Sequence, residues 1–173
     1  MNEIKYTVLE GNKLKIENLS NRNIIFRNFS GRPSQYNKNG DLKFTLVIND
    51  PENAQKLASY GWNVKVKPPK NEGDDPFCTL DVRIRMDLDF ARPKIKMFTR
   101  NGSVWVDETN IKNFDDAEFE KVDLVLRQYA WKNGRGESGI SAQLSEMYAR
   151  IQEGILEAKW AEEESPEDED EPF

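Results

Sequence analysis

The chain has 173 residues, with 25 Lys or Arg, 31 Asp or Glu and no His. Without His, Ser-His-Asp and Cys-His nucleophile pairs and His-ligated metals are excluded, and the single cysteine, Cys78, excludes an internal disulfide and any CxxC site. No apolar run approaches the ~18 residues of a membrane span, and MNEIKYTVLEGNKLKIENL has no apolar signal core. The expectation is therefore a cytoplasmic, non-catalytic protein without a cofactor.

Charge divides the chain in two. Residues 161–173 carry eight acids and no base, which leaves 25 bases against 23 acids over residues 1–160. The predicted organisation is one folded, weakly basic domain over 1–160 and a disordered acidic tail over 161–173.

Period-two apolarity dominates the body and predicts strands. Residues 4–9 and 13–17 read as a hairpin around Gly11-Asn12, and 23–29 as a strand. The polar run GRPSQYNKNGD reads as a loop, and LKFTLVI (42–48) as an alternating strand. One helix follows, with Asp50 at the N-cap, Pro51 at the first helical position and Gly61 as its terminator. Trp62, Val64 and Val66 alternate in the next strand. PPKNEGDDP is a loop, and 77–90 reads as one long strand with Cys78, Leu80, Val82, Ile84, Met86, Leu88 and Phe90 in its apolar row. Ile95 and Met97 face inward on a strand that turns at Asn101-Gly102 into Val104 and Val106. A short helix or irregular crossing spans 107–118, and a strand begins near Val122. The apolar row Ile140, Ala142, Leu144 changes register to Met147, Ala149, Ile151, which predicts a bulge at Ser145-Glu146. About eight short strands with one or two short helices suit a mainly β, OB-fold-like, partly closed antiparallel barrel; a β-sandwich has the same spacing.

The polar face of this pattern carries the chemistry. A tight turn at Ala91-Arg92 would set Asp89 opposite Lys94, Asp87 opposite Lys96, Arg85 opposite Phe98, and Arg83 opposite Arg100. A two-residue turn at Asn101-Gly102 would set Phe98 opposite Trp105. Arg83, Arg85, Lys94, Lys96, Arg100, Phe98 and Trp105 would then share one surface, away from the apolar row. Aromatic planes among cations are what single-stranded nucleic acid requires, with bases on the rings and phosphates on Arg and Lys. Packing of Phe98 and Trp105 under another part of the chain is the alternative, and the like-charge pair Arg83–Arg100 argues against it. Lys65 and Lys67 form a second basic face. Arg27, Arg32, Tyr36, Lys38 and Lys43 flank the first long loop. Tyr129, Trp131, Lys132 and Arg135 lie near the loop NGRGESG. Asp74-Asp75 and Asp115-Asp116 are weak metal candidates in turn and capping contexts, so no metal is expected. In the tail, Glu169, Asp170, Glu171 and Phe173 suit a hook: the Phe173 ring would enter an apolar pocket on a partner while a carboxylate beside it meets a basic residue there.

At these residues a resemblance emerges. EDEDEPF resembles the acidic, Phe-terminated tails of bacterial and T7-like phage single-stranded-DNA-binding proteins. FRNFSGRPSQYNKNGDLKFTLVI (26–48), ASYGWNVK (58–65), RPKIKMFTRNG (92–102) and VDLVLRQYAWKNGRGESGISAQLSEMY (122–148) are similar to small phage DNA-binding proteins with an OB-fold. The resemblance implies a protein that coats single strands during phage replication or recombination in the infected bacterial cytoplasm. It implies that the tail recruits a polymerase, helicase or primase, with Phe173 as the matched residue. Family members differ in oligomeric state, so a homodimer stays open. An acidic DNA mimic that inhibits a host protein is the rival reading, and the net +2 body opposes it; a carboxylate-metal nuclease ranks third.

Overall fold

Period-two apolarity builds ten strands in the computed structural model, which describes residues 3–152 apart from Tyr36. In chain order these are β1 (Lys5–Leu9), β2 (Lys13–Leu19), β3 (Ile24–Asn28), β4 (Leu42–Ile48), helix α1 (Pro51–Ser59), β5 (Lys65–Lys67), β6 (Phe77–Ile84), β7 (Lys94–Thr99), β8 (Gly102–Val106), β9 (Phe119–Lys132) and β10 (Ser138–Ile151). Among the described residues the fold is mainly β with one α-helix, as the alternation predicts. The tail residues 161–173, including Glu169, Asp170, Glu171 and Phe173, lie outside the described residues.

The strands form one sheet in the order β1-β2-β9-β10-β6-β4-β3. Strand β10 organises it. One edge pairs antiparallel with β9 along its whole length. The other edge runs parallel to β6 at Ala142 and Gln143, then parallel to β7 from Glu146 to Arg150. The step between these halves is the bulge between Leu144 and Glu146, where the change of apolar register predicts it. Because the bulge absorbs one residue, Ala142, Leu144, Met147 and Ala149 all point inward and are buried. From β6, Cys78, Leu80, Val82 and Ile84 meet them, and Phe29 stacks on Phe44 with ring centroids 5.4 Å apart. Burial raises the pKa of the Cys78 thiol, which serves as inert packing.

The helix obeys its sequence signals at both ends. The Asp50 carboxylate accepts the Glu52 amide at 2.9 Å. At the other end Gly61 has φ +93°, and its amide donates to the Ala58 carbonyl while that of Trp62 reaches Leu57. That bond pair closes the last turn and needs a residue tolerant of positive φ.

Three expectations need correcting. The strand predicted over 77–90 ends at Ile84; Phe90 leaves the apolar row and is 83% exposed. Consequently β6 and β7 form no hairpin, and the predicted pairs Arg83–Arg100, Arg85–Phe98, Asp87–Lys96 and Asp89–Lys94 do not exist; both strands lie end to end along β10 instead. Finally, Val66 is 59% exposed on the short edge strand β5, not inward.

Candidate nucleic-acid interface

The inward residues seal the core, so every alternate residue faces out and the ladder registers fix which of them align. Lys43 on β4 lies opposite Arg83 on β6, Arg83 beside Gln143 on β10, Gln143 opposite Arg127 on β9, and Arg127 opposite Lys13 on β2. Four cations and one amide thus cross five strands in a straight row. At an interstrand spacing of ~4.8 Å the row spans roughly 19 Å. Gln143 is 5% exposed beneath its neighbours, and its Oε1 accepts from Arg127 Nη2 at 3.1 Å. Like charges directly opposite destabilise a sheet. Lys43 opposite Arg83 therefore replaces the like-charge pair the sequence suggested.

Beyond this row lies a groove of about 430 Å³, lined by Arg83, Arg85, Tyr129, Trp131, Ser141 and Gln143 among others. Tyr129 and Trp131 stand on the distal part of β9, opposite Ser141 and Gly139, and both are exposed. Carboxylates hold the cations around this groove. Arg83 faces Asp41 at 3.6 Å, Arg85 bonds Asp87 at 3.1 Å, and Lys65 bonds Asp81 at 2.6 Å. Burial alone would raise the Asp81 carboxyl, yet hydrogen bonds from Lys65 and Thr45 hold it below the ordinary carboxylate range. The Arg85 hydrogen bond does the same for Asp87.

A second cluster lies on the proximal half of β10. Here Asp123, Tyr148, Lys96 and Trp105 form one transverse row, and Lys121, Arg150, Phe98 and Ser103 the next. The β7–β8 turn falls at Arg100-Asn101, one residue earlier than expected, which slips the pairing by two residues: Phe98 opposes Ser103 and Lys96 opposes Trp105. That shift is even, so the predicted common face of Lys94, Lys96, Phe98 and Trp105 survives. Lys96 Nζ sits 4.9 Å from the Trp105 ring centroid and 5.7 Å from that of Phe98. The Arg150 guanidinium also lies 5.7 Å from Phe98, and Tyr148 meets Phe98 edge-on at 5.9 Å. Arg100 occupies the β7–β8 turn.

The structure thus splits the predicted surface in two. Arg83, Arg85, Lys43 and Lys65 gather at the distal groove, with Lys67 two residues farther along β5; Lys94, Lys96, Phe98 and Trp105 gather at the proximal cluster. Tyr36 lies outside the described residues. Arg27 has a different role: its guanidinium donates to the carbonyls of Ile24, Phe114, Ala117 and Asn21, and stacks 4.5 Å from the Phe119 ring centroid. Those bonds staple β3 to the 111–117 crossing. Asp115, weighed above as a metal carboxylate, accepts from the amides of Phe29 and Ser30. Lys13, Arg127, Gln143, Tyr148 and Arg150 were not singled out in the sequence. Their signal was outward parity on alternating strands, which becomes a site only once the cross-strand registers are known.

This arrangement offers phosphate-binding cations and ring faces on one sheet surface. Solved structures share the fold. The single-stranded DNA-binding protein from bacteriophage Enc34 is 12% identical, with a TM-score of 0.53 over 88% of this chain and 92% of that one. The same phage protein in complex with ssDNA is 13% identical, with a TM-score of 0.56 over 89% of this chain and 94% of that one. No curated protein matches the chain. Residues 2–171 match the family described as "Putative phage ssDNA-binding domain". From the first strand into the acidic tail, therefore, the chain belongs to the phage single-stranded-DNA-binding domain family.

Proposed function

We propose that this protein binds single-stranded phage DNA across the outer face of its sheet. The observation that carries the reading is the row Lys43–Arg83–Gln143–Arg127–Lys13, flanked by exposed rings on both sides. Phosphates follow the row, and bases stack on Tyr129 and Trp131 on one side of it and on Phe98, Trp105 and Tyr148 on the other. Stacking and backbone charge are both tolerant of sequence, so the protein coats strands without reading them. Membership of the family and the fold shared with a protein solved with ssDNA support this reading. So does the architecture, a mainly β sheet whose outward residues carry these cations and rings.

The wider role follows from that activity. The protein acts as a binding protein rather than a catalyst, in the cytoplasm of the infected host, keeping strands unpaired for replication or recombination. Its acidic segment, with Glu169, Asp170, Glu171 and Phe173, recruits a polymerase, helicase or primase through charge and one aromatic anchor. A homodimer is compatible with this scheme.

A fluorescence titration with oligo-dT and with duplex DNA of equal length tests the reading. Quenching at low oligo-dT concentration, with far weaker duplex binding, is the expected result. Equal affinity for duplex, or no quenching, would overturn it.

A further inference from the structure

A glycine inside a long strand gives up stability, because it has no side chain to pack and a freer unfolded backbone. Gly139 is such a residue, near the start of β10. It is not among the glycines with positive φ, so its backbone conformation does not call for glycine. The reason lies across the ladder. Gly139 pairs with Trp131, and a Cβ at 139 would sit 2.7 Å from Trp131 Cζ2, 2.9 Å from Cε2 and 3.1 Å from Nε1. Carbon atoms in good contact stay about 3.5–4.0 Å apart. The Nε1–Cε2–Cζ2 edge of the indole therefore occupies the volume that any side chain at 139 would fill.

We propose that Gly139 is a positioning residue for nucleic-acid binding: the missing side chain is the seat that fixes the Trp131 indole at the rim of the groove. This rests on the single-strand reading above and adds which residue sets the ring's geometry. A seated ring meets a base with its rotamer already chosen, so less side-chain freedom is lost on binding. Any larger residue at 139 lifts the ring from its place. The competing role is covering: cross-strand aromatics stabilise sheets by shielding a bare glycine. Covering requires the Trp131–Gly139 contact but makes no difference to DNA.

The test is a mutant cycle in the full chain, read by oligo-dT affinity and by Trp131 emission, taken as the difference from Trp131→Ala. Trp131→Ala should weaken binding about tenfold, the order of one base stack. Gly139→Val should cost about as much and shift the Trp131 emission. The double variant should bind no worse than Trp131→Ala alone. In the Trp131→Ala background Gly139→Val should keep or raise the unfolding midpoint, since a β-branched residue suits a strand; that verifies an intact hairpin. If Trp131→Ala weakens binding but Gly139→Val does not, the seat is refuted and the interface reading stands. A further loss in the double variant also refutes the seat, because glycine then acts by another route. Wild-type binding by Trp131→Ala would overturn both the seat and the distal half of the interface reading.

Discussion

The two aromatic clusters share one sheet face yet hold their rings by opposite means. Distally, Trp131 rests against the backbone at Gly139, and the cations beside it are held by Asp41, Asp87 and Asp81. Proximally, the cations lie on the rings themselves, Lys96 over Phe98 and Trp105 and Arg150 over Phe98. The first arrangement leaves ring faces open and makes phosphate compete with carboxylate for each cation. The second sets Lys96 and Arg150 on ring faces, with Lys121 paired to Asp123 at 4.0 Å beside them, and makes bases compete with Lys96 and Arg150 for the rings. Stacking energy should therefore concentrate at the distal groove, and the proximal cluster should act more through charge.

The largest expected effect follows directly. Tyr129→Ala combined with Trp131→Ala should weaken oligo-dT binding by roughly 2–6 kcal/mol, at about 1–3 per base stack. Phe98→Ala with Trp105→Ala should cost less than that pair, because Lys96 and Arg150 are released to phosphates. A larger loss from the proximal pair would reverse the comparison.

Charge effects come next. Arg127→Ala should flatten the slope of log affinity against log salt by about 0.7, one phosphate contact. Asp41→Asn and Asp87→Asn should change affinity the other way, tightening binding several-fold at low salt. Each exposed ion pair that is removed is worth only about 0.2–1 kcal/mol. Titration at several salt concentrations separates the two signs.

Acid offers a sharper view of the same competition. Asp81 and Asp87 have carboxyls held below the ordinary range, and the sequence has no His. Oligo-dT affinity should stay flat from neutral pH down to about pH 5 and tighten only as the pH falls below the ordinary Asp value of about 3.9. Stability should move oppositely. A depressed folded pKa contributes stability above the unfolded value, and that contribution disappears as pH falls through the folded one. Parallel affinity and denaturation curves between pH 3 and 7 check both. The smallest effect is expected for Lys96→Ala: a lost phosphate contact is offset by freed faces on Phe98 and Trp105, so affinity should change less than threefold, or about 0.6 kcal/mol by the usual conversion.

Much of the fold was legible because local signals sufficed. Asp50 and Gly61 bound the helix, and one change of apolar parity located the bulge in β10. The candidate site was only half legible. Lys13, Lys43, Arg83 and Arg127 come from four strands spread over more than a hundred residues, and only ladder registers align them. The proposed β6–β7 hairpin failed because Met86 and Leu88 continue the period of β6 after its ladder partners have ended. Pairing β7 with β10 requires a parallel contact over some fifty residues, for which periodicity gives no signal. Parity survived where register did not, which is why Phe98, Lys96 and Trp105 still share a face.

The most direct measurement is ¹⁹F NMR of the protein labelled with 5-fluorotryptophan, titrated with oligo-dT in a Trp160→Phe background. Trp62 is buried in the core at 3% exposure, Trp131 rims the distal groove, and Trp105 faces Lys96 in the proximal cluster. The Trp131 and Trp105 resonances should shift with DNA, Trp131 by more, while Trp62 stays in place. Saturable binding that leaves Trp131 and Trp105 unmoved would put the DNA elsewhere and contradict the outer face as the interface.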